Sequence, residues 1–123
     1  MKPFEMTIEE LNEKQSFLSC QVKGYLDAHT VIQFEESLNQ AVDQSQVKQL
    51  VVDLGDLYYI SSAGIGALMG LTQKLRRQNG ELILLRPSEK VFNIFEMLGF
   101  THIFRIVQTQ DEAMDALNES TVE

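Results

Sequence analysis

Phe4, Met6 and Ile8 alternate with polar residues, and Leu18, Cys20 and Val22 do so again. Period-two alternation marks a strand with one buried face. The polar stretch Glu10 to Ser16 reads as a turn region, so an antiparallel hairpin is predicted, ended by Gly24-Tyr25-Leu26-Asp27. Beyond Thr30 the period changes. Val31, Phe34, Leu38, Ala41 and Val42 recur at three- and four-residue steps, which predicts an amphipathic helix over 30–43. Thr30 followed by Gln33 has the form of a capping box, and Asp27 is the other candidate cap.

The polar segment Asp43 to Gln49 leads to Leu50-Val51-Val52-Asp53-Leu54, apolar at nearly every position, as in a strand covered on both faces. A strand reached through a helix implies a parallel crossover. Ile65, Leu68, Met69, Thr72 and Leu75 then predict a helix that opens near Ser62, runs to about Gln78 and stops at Asn79-Gly80. Lys74, Arg76 and Arg77 fall in its last turns as a solvated end that complements the dipole. Glu81 to Leu85 is a further buried strand, closed by Arg86-Pro87. Ser88 caps a third helix with Val91, Ile94, Phe95 and Leu98 inward and Gly99 at its end. Ile103 to Val107 is expected as a short edge strand, and Thr109 with Glu112 forms another capping box before Ala113, Met114 and Leu117. Asn118 to Glu123 reads as a polar, frayed tail. The order β-β-α-β-α-β-α-β-α predicts one α/β domain over 1–123, its core from about 4 to 117, with a mostly parallel mixed sheet of about five strands and about four helices.

Composition narrows the function classes. A chain of 123 residues buries roughly two-thirds of its unfolded surface, enough for a core without staples. No apolar run approaches the roughly 18 residues of a spanning helix, so no membrane insertion is expected. Met1-Lys2-Pro3-Phe4-Glu5 lacks the apolar core of a secretory signal, and the single cysteine, Cys20, suits a reducing cytoplasm. Cys20 is in phase with the buried face and is expected to fill core. Ten basic and 18 acidic residues give a net charge of −8, which argues against nucleic acid and for a protein partner.

The chemistry concentrates at Tyr58-Tyr59-Ile60-Ser61-Ser62-Ala63-Gly64-Ile65-Gly66. Hydroxyls at a helix start can cap it, or they can carry or contact a phosphate. A serine hydrolase would need a histidine base, but only His29 and His102 are present, and the G-x-S-x-G elbow is absent. Two distant histidines and a buried cysteine make no metal set. The phosphate-loop lysine is missing, and Met69 stands where the last glycine of a dinucleotide pattern belongs. On these residues alone the glycines serve tight helix–sheet packing, and no enzyme or cofactor emerges.

Gly24-Tyr25-Leu26-Asp27-Ala28, Val51-Val52-Asp53-Leu54 and Tyr59-Ile60-Ser61-Ser62-Ala63-Gly64-Ile65-Gly66 together resemble the STAS domain of bacterial anti-sigma factor antagonists. The family pattern is G-x-L/I-D-A, then V-x-D-L, then D-S-S/A/T-G-L/I-G, and the match in order spans 4 to about 117. Ser61 stands where an acidic residue usually precedes the acceptor serine. The resemblance implies a non-enzymatic phospho-switch. The unphosphorylated form would bind an anti-sigma factor that is also a serine kinase, and a metal-dependent serine phosphatase would reset the phosphorylated form. It places the acceptor at Ser62, with Ser61 as the alternative, and capping by both remains the plain structural reading. Asp27, Tyr58, Tyr59, Ser61, Ser62, Gly64, Ile65 and Met69 are the expected partner-binding residues, one tyrosine packing inward, with Asp56 a possible flank. Two other classes stay open: a STAS subunit of a lipid or anion transport system, and a small phosphate- or nucleotide-binding enzyme.

Overall fold

The computed structural model describes residues 4–12 and 16–121. The elements run β1 (Phe4–Asn12), β2 (Ser16–Leu26), α1 (Val31–Ser45), β3 (Gln49–Ile60), α2 (Ser62–Arg77), β4 (Glu81–Leu85), α3 (Glu89–Met97), β5 (Arg105–Val107) and α4 (Gln110–Thr121). They form one mixed sheet in the order β1-β2-β3-β4-β5. The first pair is antiparallel and the other three are parallel, as the hairpin and crossover pattern requires.

Alternation along the strands splits the core. Leu18, Cys20, Leu50, Val52, Leu82 and Leu84 face α1, α2 and α3, whose Phe34, Leu38, Leu68, Leu75, Val91 and Phe95 cover them. Phe17, Val51, Ile83 and Leu85 point to the other face, where Ala113, Ala116 and Leu117 of α4 cover them. This two-sided cover explains why β3 and β4 read as unbroken apolar runs. In β1, Phe4, Met6 and Ile8 are half-buried against the first of these clusters, and Leu11 packs against the second.

Several boundaries move. Glu10, Leu11 and Asn12 pair in register with Leu18, Phe17 and Ser16, so most of the expected turn region is strand, and its remainder lies outside the described residues. The Thr30–Gln33 capping box does not form: Thr30 makes no side-chain cap bond to the helix. The box at the other end does form, with Glu112 Oε1 accepting from the Thr109 N–H (3.3 Å) and Thr109 Oγ1 accepting from the Glu112 N–H (3.1 Å). Leu98 is exposed rather than inward, and Ile103 is exposed outside β5. Residues 118–121 continue α4 instead of fraying; Val122 and Glu123 lie outside the described residues. Lys74 pairs with Asp43 (2.9 Å) and Arg76 with Glu81 (2.9 Å), so the basic end of α2 also ties neighbouring elements together.

Cys20 is fully buried. Burial, then the nearby Asp53 carboxylate, pushes its thiol pKa up to about 12. Because the thiolate is the reactive species, native Cys20 is expected to resist thiol-labelling reagents at neutral pH and to react only after denaturation. Rapid native labelling would contradict this packing.

Candidate functional site

β3 is longer than its apolar run suggests. Its last partner on β4 is Leu85, opposite Asp53, yet the strand continues to Ile60. The extension pairs only with the end of β2, through Lys23↔Asp56, Gly24↔Leu57, Tyr25↔Tyr59 and Leu26↔Ile60, with two register shifts. Leu57 and Ile60 anchor it in the core. The chain between the expected strand at 50–54 and the helix, which the sequence pattern leaves as a loop, is therefore strand up to Ile60, and α2 begins directly after Ser61.

At this junction the two serines separate. The Ser61 N–H donates to the Leu26 carbonyl (2.9 Å), its carbonyl accepts the Ile65 N–H (3.0 Å), and its backbone is extended. Ser61 Oγ accepts from the Gly64 N–H (3.2 Å), which makes Ser61 the cap of α2. Ser62 occupies the first helical position, is exposed, and its hydroxyl has no hydrogen-bond partner among the described residues. One hydroxyl is committed; the other is free. The first turn carries no acidic side chain, so the positive end of the helix dipole is unneutralised there.

The glycines divide likewise. A Cβ on Gly64 would meet Ile60 Cγ1 at 2.8 Å and the Leu26 carbonyl oxygen at 3.1 Å, so glycine lets the helix start sit against the end of β2. Gly66 would meet nothing within 4 Å, so tight packing accounts for Gly64 alone of these two.

Asp27 caps the entry to α1. Its Oδ1 accepts from the backbone N–H groups of His29 and Thr30, both at 3.0 Å, while the Thr30 hydroxyl donates to the Tyr25 carbonyl (2.9 Å). The Thr30 N–H, more than any other group, holds the Asp27 pKa below the ordinary carboxylate value. Asp27's contribution to stability is therefore present above that ordinary value and is lost as pH falls through the lowered one.

Tyr58 and Tyr59 are 64% and 43% exposed, so neither packs inward as expected of one of them. They meet an unanticipated third ring: Tyr25 is 47% exposed, with centroids 6.1 Å from Tyr58 and 6.5 Å from Tyr59. Tyr25 was visible in the G-x-L-D-A stretch, but only the β2–β3 register brings it to the others. Gly64 and Ile65 are buried and shape the site from beneath, and Met69 is half-buried against the core. Asp56 faces Gln21 (3.5 Å) across the sheet rather than the helix start. Among the described residues no group of three or more His, Cys, Asp or Glu could hold a metal, and no helix is long and apolar enough to cross a membrane.

A domain model described as STAS domain matches residues 10–113. The candidate anti-sigma factor antagonist BtrV of Bordetella bronchiseptica is 34% identical over 99 residues, covering 80% of this chain and 84% of BtrV. The anti-sigma-B factor antagonist of Listeria monocytogenes is 30% identical over 110 residues, covering 87% and 93%. Among solved structures, the Bacillus cell fate determinant SpoIIAA in its phosphorylated form superposes with a TM-score of 0.68 at 25% identity, covering 91% of this chain and 98% of that one. Its unphosphorylated form gives 0.71 at 23% identity, covering 93% and 98%. With the domain model, the antagonist relatives and the shared fold in agreement, the chain belongs to the STAS-domain family of anti-sigma factor antagonists.

Proposed function

We propose that this chain is a single-domain regulatory binding module, working in the cytoplasm, that is switched by phosphorylation of Ser62. Its unphosphorylated form binds an anti-sigma factor that also acts as a serine kinase, and a metal-dependent serine phosphatase returns the phosphorylated form to the binding state. The observation that carries this reading is the split between the serines: Ser61 Oγ is used by the Gly64 N–H, whereas Ser62 is exposed and unpartnered among the described residues. A phosphate on Ser62 adds about −1.5 to −2 charge at the positive end of α2, where the fold tolerates it. The same charge would have to be desolvated wherever a partner covers the tyrosine cluster, so affinity falls while the fold holds. The partner surface comprises Tyr25, Tyr58, Tyr59, Ser61, Ser62, the Asp27 turn and the exposed side of α2 as far as Met69, shaped from below by Gly64 and Ile65.

Incubation with the cognate kinase and ATP is expected to add one phosphate, mapped by mass spectrometry to Ser62. A phosphate found only on Ser61 would overturn the assignment of the acceptor. No phosphate at all would remove the switch and leave an interaction module.

A further inference from the structure

Beyond Asp53 the β3 extension has no β4 beside it, and its carbonyls on that side need other donors. One residue supplies two. The Ser88 N–H donates to the Leu54 carbonyl (3.3 Å), and Ser88 Oγ donates to the Leu57 carbonyl (2.7 Å). The same Oγ accepts from the Val91 N–H (3.3 Å) and so caps α3. Ser88 is itself held in place: the preceding Arg86 forks onto Asp53, with Nε–Oδ1 at 3.1 Å and Nη2–Oδ2 at 3.0 Å, and its N–H donates to the Val107 carbonyl (2.7 Å). Arg86 takes a positive φ of 41° to do so. Asp53 Oδ1 also accepts from the Gly55 N–H (2.9 Å), and a Cβ on Gly55 would lie 3.1 Å from Arg86 Nε.

We infer that Ser88 is a positioning residue for the Ser61–Ser62 helix start, acting through Leu57 and the free half of β3. The opposite side of that half is held by an irregular ladder with a register shift between Gly24 and Tyr25, so the Ser88 bond is its second support. Ser61 lies four residues beyond Leu57 on nearly continuous strand, and movement at Leu57 is passed to Tyr58, Tyr59 and Ser61. The functional consequence, a dependence of Ser62 presentation on Ser88, rests on the switch proposed above; the positioning itself does not.

The two roles of the hydroxyl can be separated. An ionised Asp keeps the acceptor that caps Val91 but cannot donate to Leu57, whereas Thr keeps both functions. Amide hydrogen exchange on the full chain reads the result, using the Ser61 and Gly64 amides at the site, the Val91 amide at the cap, and the Ile83 and Leu84 amides in β4. Ser88→Asp is expected to speed exchange at Ser61 and Gly64 by about tenfold, the scale of one lost hydrogen bond. Val91, Ile83 and Leu84 should keep their protection, and Ser88→Thr should match the native chain. Acceleration confined to α3, or none, would overturn the inference in favour of a simple cap. Acceleration shared by Ile83 and Leu84, in Ser88→Asp and in Ser88→Ala alike, would also overturn it, because the bond would then support the whole sheet. No kinase or partner enters this measurement, so a failed phosphorylation experiment leaves it standing and the reverse also holds.

Discussion

Ser62→Asp is expected to lower affinity for the anti-sigma partner by at least about tenfold, or about 1.4 kcal/mol, while leaving the fold intact. The reason is local. Ser62 is exposed at the first helical position with no carboxylate in the first turn, so an added negative charge meets the favourable end of the dipole in the free protein. In the complex that charge would be stripped of water beside the half-exposed rings of Tyr25, Tyr58 and Tyr59. Ser62→Ala removes an unpartnered hydroxyl and should keep both binding and stability. Ser61→Ala is the informative control: it deletes the acceptor for the Gly64 N–H and should cost about 0.5–2 kcal/mol of stability. Calorimetric titration of the partner, paired with thermal melts of the three variants, reads all of this. Unchanged binding by Ser62→Asp, or a stability loss in Ser62→Ala that matches Ser61→Ala, would sink the switch.

Gly80→Ala is expected to be the most destabilising of the small substitutions, by about 3 kcal/mol and a fall in Tm of roughly 10 °C. A Cβ there would lie 1.8 Å from the Lys48 carbonyl oxygen and 2.8 Å from its carbonyl carbon. Those are backbone atoms at the entrance to β3, and the same oxygen accepts the Glu81 N–H (3.1 Å). Relief requires displacing the start of β3 from β4, where Gln49 is in register with Glu81. Gly70→Ala provides the contrast, because it is exposed within α2 with nothing within 4 Å. Helix propensity alone should make it neutral to stabilising, by up to about 1 kcal/mol. Similar melts for the two variants would show that the approach of the 79–81 turn to Lys48 is looser than described.

Where the physics is local, the chain was legible without coordinates. The alternation Leu18, Cys20, Val22 gives β2 its buried face, and the three- and four-residue steps of Val31, Phe34, Leu38 and Val42 give α1 its own. Ser88 caps α3, and Thr109 with Glu112 opens α4, because each of these capping bonds joins a side chain to backbone three residues along the chain. The reading failed where a local rule had a competitor. Thr30 lost its box because Asp27, three residues earlier, takes the Thr30 and His29 N–H groups and the Thr30 hydroxyl turns back to Tyr25. Leu98 kept helical phase but lies just past Met97, where the helix ends, and so escapes the core.

By itself, then, the sequence determined the element order, the covered strands and the position of two serines at the start of α2, all consequences of periodicity and chain-neighbour chemistry. Tertiary structure decided the rest of the site. Ser61 and Ser62 are chemically equivalent neighbours, and their roles part only because the Ser61 N–H is fastened to Leu26 on β2, which turns its Oγ to Gly64 and leaves Ser62 outside. Tyr25 joins Tyr58 and Tyr59 across more than 30 residues of chain through a parallel register shifted at Gly24. Long-range register and backbone pairing have no period to read along a chain, so a contact of this kind exists only once the strands are side by side.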